Sequence, residues 1–194
     1  GLLFWPARRK MHAVRLALVG IFIVLTLIMK APIWYLPARV SLLSGGGGWH
    51  RSYLMDVAFS NLDQWWLSGL DLSETKQWFP YVVEVTGAAD ITNSFLDFGF
   101  KGGFLAIVLV VLVFTLAFRN LGGALRAIRY ASTTIRRYTT EYLLWGLGCS
   151  LLVHIVTWFS VTYFDQMYVI WFMHLAAISS ISTGVLHLGR RGGT

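Results

Sequence analysis

A chain of 194 residues that is 56% hydrophobic and only 13% charged, with a mean hydropathy of +0.62, falls well below the roughly 25% charged residues of soluble domains. That composition excludes an ordinary soluble domain and points to a membrane protein. The formal charge of +7 does not imply nucleic acid, because a basic excess in an apolar chain reflects the Lys and Arg kept in cytoplasmic loops. A single cysteine, Cys149, leaves no internal disulfide and no Cys-based zinc cluster.

The opening GLLFWPARRK places Arg8, Arg9 and Lys10 after an apolar stretch, the reverse of a signal peptide. The chain is therefore expected to be the C-terminal portion of a longer protein, with 1–13 a cytoplasmic basic segment. Residues 14–36 are expected to form a first transmembrane helix. VRLALVGIFIVLTLIM is apolar except for Arg15, which can snorkel, but it spans only roughly 24 Å of a core about 30 Å thick. The helix should then continue past Lys30 and kink at Pro32.

Residues 37–94 read as an extracytoplasmic loop, within a stretch from Gly45 to Phe104 that holds Asp56, Asp63, Asp71, Glu74, Glu84, Asp90 and Asp97. Gly45 to Gly48 interrupts any regular element, either as a flexible linker or as a backbone loop around an anion. Leu54, Val57, Ala58, Leu62, Trp65 and Trp66 then recur at helical spacing, with Ser52, Asp56, Ser60, Asp63 and Gln64 opposite. This predicts an amphipathic helix over 51–67, ending near Gly69, with its tryptophans in the membrane interface. Asp71 to Asp90 reads as irregular.

A second span covers 95–118. Residues 119–140 carry Arg119, Arg126, Arg129, Arg136 and Arg137 and no acid, marking a cytoplasmic loop or interfacial helix. Two further spans, 141–164 and 168–188, are joined at Asp165-Gln166-Met167, and a cytoplasmic tail, 189–194, carries Arg190 and Arg191. The expected fold class is all-α: a polytopic bundle with four transmembrane helices and one amphipathic interfacial helix.

Two places concentrate polar chemistry. His50-Arg51 opens the amphipathic helix, where helix-start amides favour an anion and a guanidinium offers a planar fork to phosphate. The same arginine would also suit a lipid headgroup. Asp90-Ile91-Thr92-Asn93-Ser94 is a polar run at the edge of the bilayer, fitted either to line a cavity or to cap the second span. His154 and His174 fall inside apolar runs and read as hydrogen-bonding partners between helices in preference to a proton relay.

The patterns GGxxHRSxxxDxAxxxxxxWWLxG and ADITNxxLxxGxxGG, followed by an apolar span, resemble the C-terminal half of the O-antigen ligase and polymerase superfamily over about Gly45 to Phe118. The resemblance implies a glycosyltransferase needing neither metal nor other cofactor. It would move a glycan from a polyprenyl-pyrophosphate carrier to a glycan or lipid acceptor at the outer face of the bacterial cytoplasmic (inner) membrane. Arg51 matches the family's pyrophosphate-contacting arginine. Where many ligases have a His-Asn pair before the late span, this chain has Thr92-Asn93, so Asp90, His50 or Glu84 would have to serve as base. The candidate catalytic residues are thus Arg51, Asp90 and His50, and the candidate substrate-binding residues Arg39, Thr92, Asn93 and Glu84. The reading from a different class is a non-catalytic transporter or scaffold subunit. Cysteines introduced at Ser73 and Ser132 should react with an impermeant reagent from opposite sides of the membrane in intact cells; equal labelling of both would contradict the four-span topology.

Overall fold

The computed structural model describes residues 10–29, 32–35, 48–71, 73–79, 91–129, 134–159 and 161–191, and every regular element among them is helical. In chain order these are α1 (Met11–Ile28), a 3-10 turn (Ile33–Tyr35), α2 (Gly48–Ser60), the single turn α3 (Leu62–Trp65), a second 3-10 turn (Glu74–Gln77), α4 (Ser94–Arg129), α5 (Thr134–Trp158) and α6 (Gln166–Arg191). α4, α5 and α6 each contain a stretch long and apolar enough to cross a membrane. α1 contributes a shorter apolar stretch, Val19–Ile28, and is helical only as far as Ile28.

The chain divides into two compact units, Leu2–Phe104 and Leu105–Thr194. In the second unit the core is aromatic: Phe114 of α4 meets Trp158 of α5 and Trp171 of α6 at ring-centroid distances of 5.2 and 6.0 Å, and Trp158 meets Trp171 at 4.9 Å. Offset and edge-on pairs of this kind are each worth about 0.5–1.5 kcal/mol beyond the area they bury. Leu105, Val108, Leu109, Val111 and Leu112 of α4, with Leu152, Val153 and Val156 of α5 and Phe172 and Met173 of α6, remain exposed. In water so much apolar surface would aggregate, whereas in lipid it is correctly solvated.

α4 does not stop at Arg119. It continues to Arg129 because Leu121, Ala124 and Ile128 recur at helical spacing and are buried, while Arg119 and Arg126 stay exposed. Of the two forms expected for the basic segment, the helical one is therefore present across 119–129 and again from Thr134.

In the first unit α2 buries Ser52, Leu54 and Ala58. The Ser52 hydroxyl donates to the carbonyl of Trp34 at 2.8 Å and the Tyr35 hydroxyl donates to the Asp56 carboxylate at 3.0 Å, so two bonds hold the first 3-10 turn to this helix. The tryptophan pair after α2 separates. Trp66 is 51% exposed and available to an interface, but Trp65 is only 2% exposed. It donates its indole N–H to the Ala58 carbonyl at 2.9 Å and stands edge-on to Phe100 at 5.2 Å. The expectation that both tryptophans anchor in the interface is corrected: adjacent residues on a helix point about 100° apart, and the inner one belongs to the core.

Phe100 lies just before a break in α4. Gly102 and Gly103 leave the helical conformation, Gly103 at φ 68° and ψ −169°, a region open in practice only to glycine. Across the break the chain leaving α3 is hydrogen-bonded to α4 at two points. Leu70 N–H donates to the Phe100 carbonyl at 2.6 Å, and Phe104 N–H donates to the Trp66 carbonyl at 2.7 Å. Gly69, at φ 76°, faces the same break, where an added Cβ would strike the Phe100 carbonyl oxygen, and a Cβ at Gly103 would lie 2.5 Å from that of Leu67. Two backbones thus interlock through two glycines.

Gly103→Ala should lower the thermal midpoint in detergent, with at least about 1–3 kcal/mol lost to backbone strain alone. Gly122→Ala, in a helical position with open space at its Cβ, should instead be neutral or gain up to about 1 kcal/mol. Equal midpoints for the two variants would show that the interlock does not bear on stability.

Candidate functional site

α2 carries His50 and Arg51 in its first turn, and both are part-buried. Arg51 and Met55 are four residues apart and so share one face of the helix. Onto that face the structure lays the start of α4: the Asn93 side-chain amide is 3.5 Å from the Met55 sulfur. α2 and the start of α4 therefore meet within the first unit at Met55 and Asn93, one turn of α2 beyond Arg51.

Asn93 is buried and its side-chain oxygen accepts from the backbone N–H groups of Phe95 and Leu96 at 3.0 and 3.1 Å, while its carbonyl accepts from Asp97 N–H at 2.9 Å. This is N-cap geometry, satisfying two of the donors that every helix start leaves open. Asn93 therefore serves the helix, as one of its two expected roles required, and its oxygen is occupied. Thr92 differs. Its hydroxyl is shielded from solvent with no hydrogen-bond partner among the described residues, and the same holds for His50 Nε2. Buried polar groups are nearly always paired, and among the described residues Trp34, Trp171, His174 and Ser182 also carry such an atom, so the feature is not confined to this region. Of the remaining candidates, Arg39, Glu84 and Asp90 lie outside the described residues.

One pair near the site went unnoticed in the sequence. Asp97, in the first turn of α4 and only 4% exposed, accepts from Lys101 Nζ at 2.8 Å. A carboxylate at this end of a helix is favoured by the macrodipole, and the lysine one turn later neutralises a charge that burial would otherwise penalise. The i, i+4 spacing was visible; the burial that gives it weight was not. The pair also fixes the polar face of α4 just ahead of the Gly102–Gly103 break.

Among the described residues the first unit thus holds a part-buried arginine in the first turn of α2 and two shielded polar atoms, His50 Nε2 and the Thr92 hydroxyl, without a hydrogen-bond partner. No three His, Cys, Asp or Glu side chains cluster to hold a metal ion among the described residues. A shallow groove of about 180 Å³ in the other unit, with Asn120 and Ser179 among its lining residues, contains none of the candidate residues. No family model, no curated protein and no solved structure matches this chain.

Asn93→Ala should cost about 1 kcal/mol of stability through loss of the cap, whereas Asn93→Asp, which can still accept from the same amides, should retain most of it. Chemical unfolding in detergent checks both. Identical midpoints for Asn93→Ala and wild type would remove the capping role.

Proposed function

We propose that this chain works in a membrane glycosyltransferase of the O-antigen ligase or polymerase kind, moving a glycan from a polyprenyl-pyrophosphate carrier to a glycan or lipid acceptor. It would lie in the bacterial inner membrane with the acidic segment on the outer face. The observation that carries this reading is the position of Arg51, part-buried in the first turn of α2 and one turn before Met55, which meets Asn93 at the start of α4. What supports the reading is that the helix opened by HRS meets Asn93, the last residue of DITN, through Met55.

The chemistry follows from the leaving group. Breaking the bond between the anomeric carbon and the carrier oxygen places growing negative charge on the pyrophosphate. A guanidinium and helix-start amides held ready to meet that charge would lower the barrier without having to reorganise. The acceptor hydroxyl must lose its proton as it attacks, and a neutral imidazole or a carboxylate can take it. His50, with Nε2 shielded and unpaired, is suited to that role; Asp90 is the other candidate by sequence. Thr92 is placed to hold a sugar hydroxyl or a phosphate oxygen, since its own hydroxyl can donate or accept. Positioning and charge neutralisation suffice for this scheme, and no metal enters it.

Arg51→Lys keeps the charge and loses the two-pronged geometry, so it should lower glycan transfer by a factor on the order of 10² with folding unchanged. His50→Ala and Asp90→Asn separate the two bases: the true one combines near-complete loss of transfer with retained carrier binding. The assay is transfer from the lipid-linked donor to its acceptor by the purified enzyme in nanodiscs. Wild-type rates for Arg51→Lys would reduce the arginine to a headgroup contact and leave a scaffold subunit as the better description.

A further inference from the structure

Independently of glycan transfer, the second unit contains a polar cluster inside otherwise apolar packing. α5 and α6 are joined by a short connection that turns at Asp165, held at a positive φ of 44°. Near this end of the pair, His154 Nδ1 of α5 lies 2.6 Å from the hydroxyl of Tyr163 in the connection. The rings of His154 and His174, the latter on α6, have centroids 5.1 Å apart at an angle of 43°. His174 Nε2 lies 3.2 Å from the carbonyl oxygen of Leu147 on α5.

These contacts settle part of the proton arrangement. A carbonyl only accepts, so His174 Nε2 carries hydrogen, and in the neutral ring Nδ1 is the bare nitrogen. That nitrogen is buried with no partner among the described residues. Tyr163 is only 4% exposed, and a phenol keeps its proton over the range in which histidine titrates. A hydroxyl can donate or accept. If it donates to His154 Nδ1, the other nitrogen of that ring carries hydrogen; if it accepts, the other nitrogen is bare. His154 can therefore act as donor or acceptor at no cost in packing.

We propose that Tyr163, His154 and His174 form a proton-binding site that holds a single proton between the two imidazoles, with Tyr163 selecting the tautomer of His154. Two imidazolium ions at this separation repel strongly in a low-dielectric surround, so the second proton is excluded and the pair titrates as one unit. Among the described residues no charged side chain is shown in contact with the two rings. α4 contributes Phe114 to this packing, and its stretch from Leu105 to Phe118 has no titratable residue. On α5, Cys149 is more than one turn and Glu141 more than three turns from His154. From α6 the titratable Tyr168 stands edge-on to Tyr163 at 6.3 Å, and Asp165 in the connection is exposed. His154 is four residues from the end of its span, near enough to water for the proton to enter and leave.

The test is nitrogen-15 NMR of the histidines in the purified chain in nanodiscs, titrated from about pH 8 to about pH 5. His154→Gln and His174→Gln assign the two signals against His12, His50 and His187. The expected result is one proton taken up by the pair, with both rings shifting together, and a midpoint displaced by about half a pH unit or more in Tyr163→Phe, which keeps the ring packed on Trp158 (centroids 5.6 Å apart). If each histidine takes up its own proton with an unrelated midpoint, the shared site is wrong. If neither titrates and Tyr163→Phe changes nothing, the two rings are fixed hydrogen-bonding partners only. Should either glutamine variant fail to fold, the wild-type proton count and the Tyr163→Phe midpoint still decide.

Discussion

The first unit depends on a break in a helix. A membrane-crossing helix normally satisfies all its backbone groups internally, and α4 gives up that regularity at Gly102 and Gly103. The groups released are not left open: the Phe100 carbonyl and the Phe104 N–H bond to Leu70 and Trp66 in the chain leaving α3. Only glycine at 69 and 103 lets the two backbones come this close, since a side chain at either would meet a carbonyl oxygen. The interlock therefore stands on steric exclusion as much as on two hydrogen bonds of about 1 kcal/mol each.

From that point the placement of the site follows. With the end of α3 held to α4, Trp65 packs against Phe100, and Trp78 approaches the same ring at 6.1 Å. α2 in turn lies where Met55 meets Asn93, and Asn93 fixes the start of α4 by capping it. A loop that was free to move would leave Arg51 at a variable distance from Thr92. Tied at Gly69 and joined at Met55 and Asn93, α2 and the start of α4 belong to one packed body, which is the preorganisation the proposed chemistry would need.

Much of the architecture was legible because it rests on composition. The apolar runs of α4, α5 and α6 announce themselves by length, and the turn at Asp165 by its polarity. The start of α4 was marked by a polar run whose capping role was one of two expectations. What periodicity could not say is what each face meets. Trp65 and Trp66 look alike in sequence, and only the partner Phe100 separates the buried one from the exposed one. The helix beyond Arg119 was ambiguous because its arginines signal a membrane side while the Leu121, Ala124, Ile128 spacing signals packing, and it is the packing that the structure shows. Gly69 and Gly102–Gly103 are thirty-odd residues apart, and nothing local marks them as partners. The Thr92 hydroxyl and His50 Nε2 were named for their chemistry, but their burial without partners is a property of the fold alone.

Amide hydrogen exchange at two residues tests the interlock most directly. Leu70 follows a turn and Phe104 follows a helix break, so neither amide has a partner within its own element. In nanodiscs, exchange at both should be slowed to the rate of the flanking amides of α4, and Gly69→Ala should release both together. If Leu70 and Phe104 exchange at the rate of an open loop while the rest of α4 stays protected, the two backbones are not joined at the glycines, and the placement of the site built on that joint is wrong.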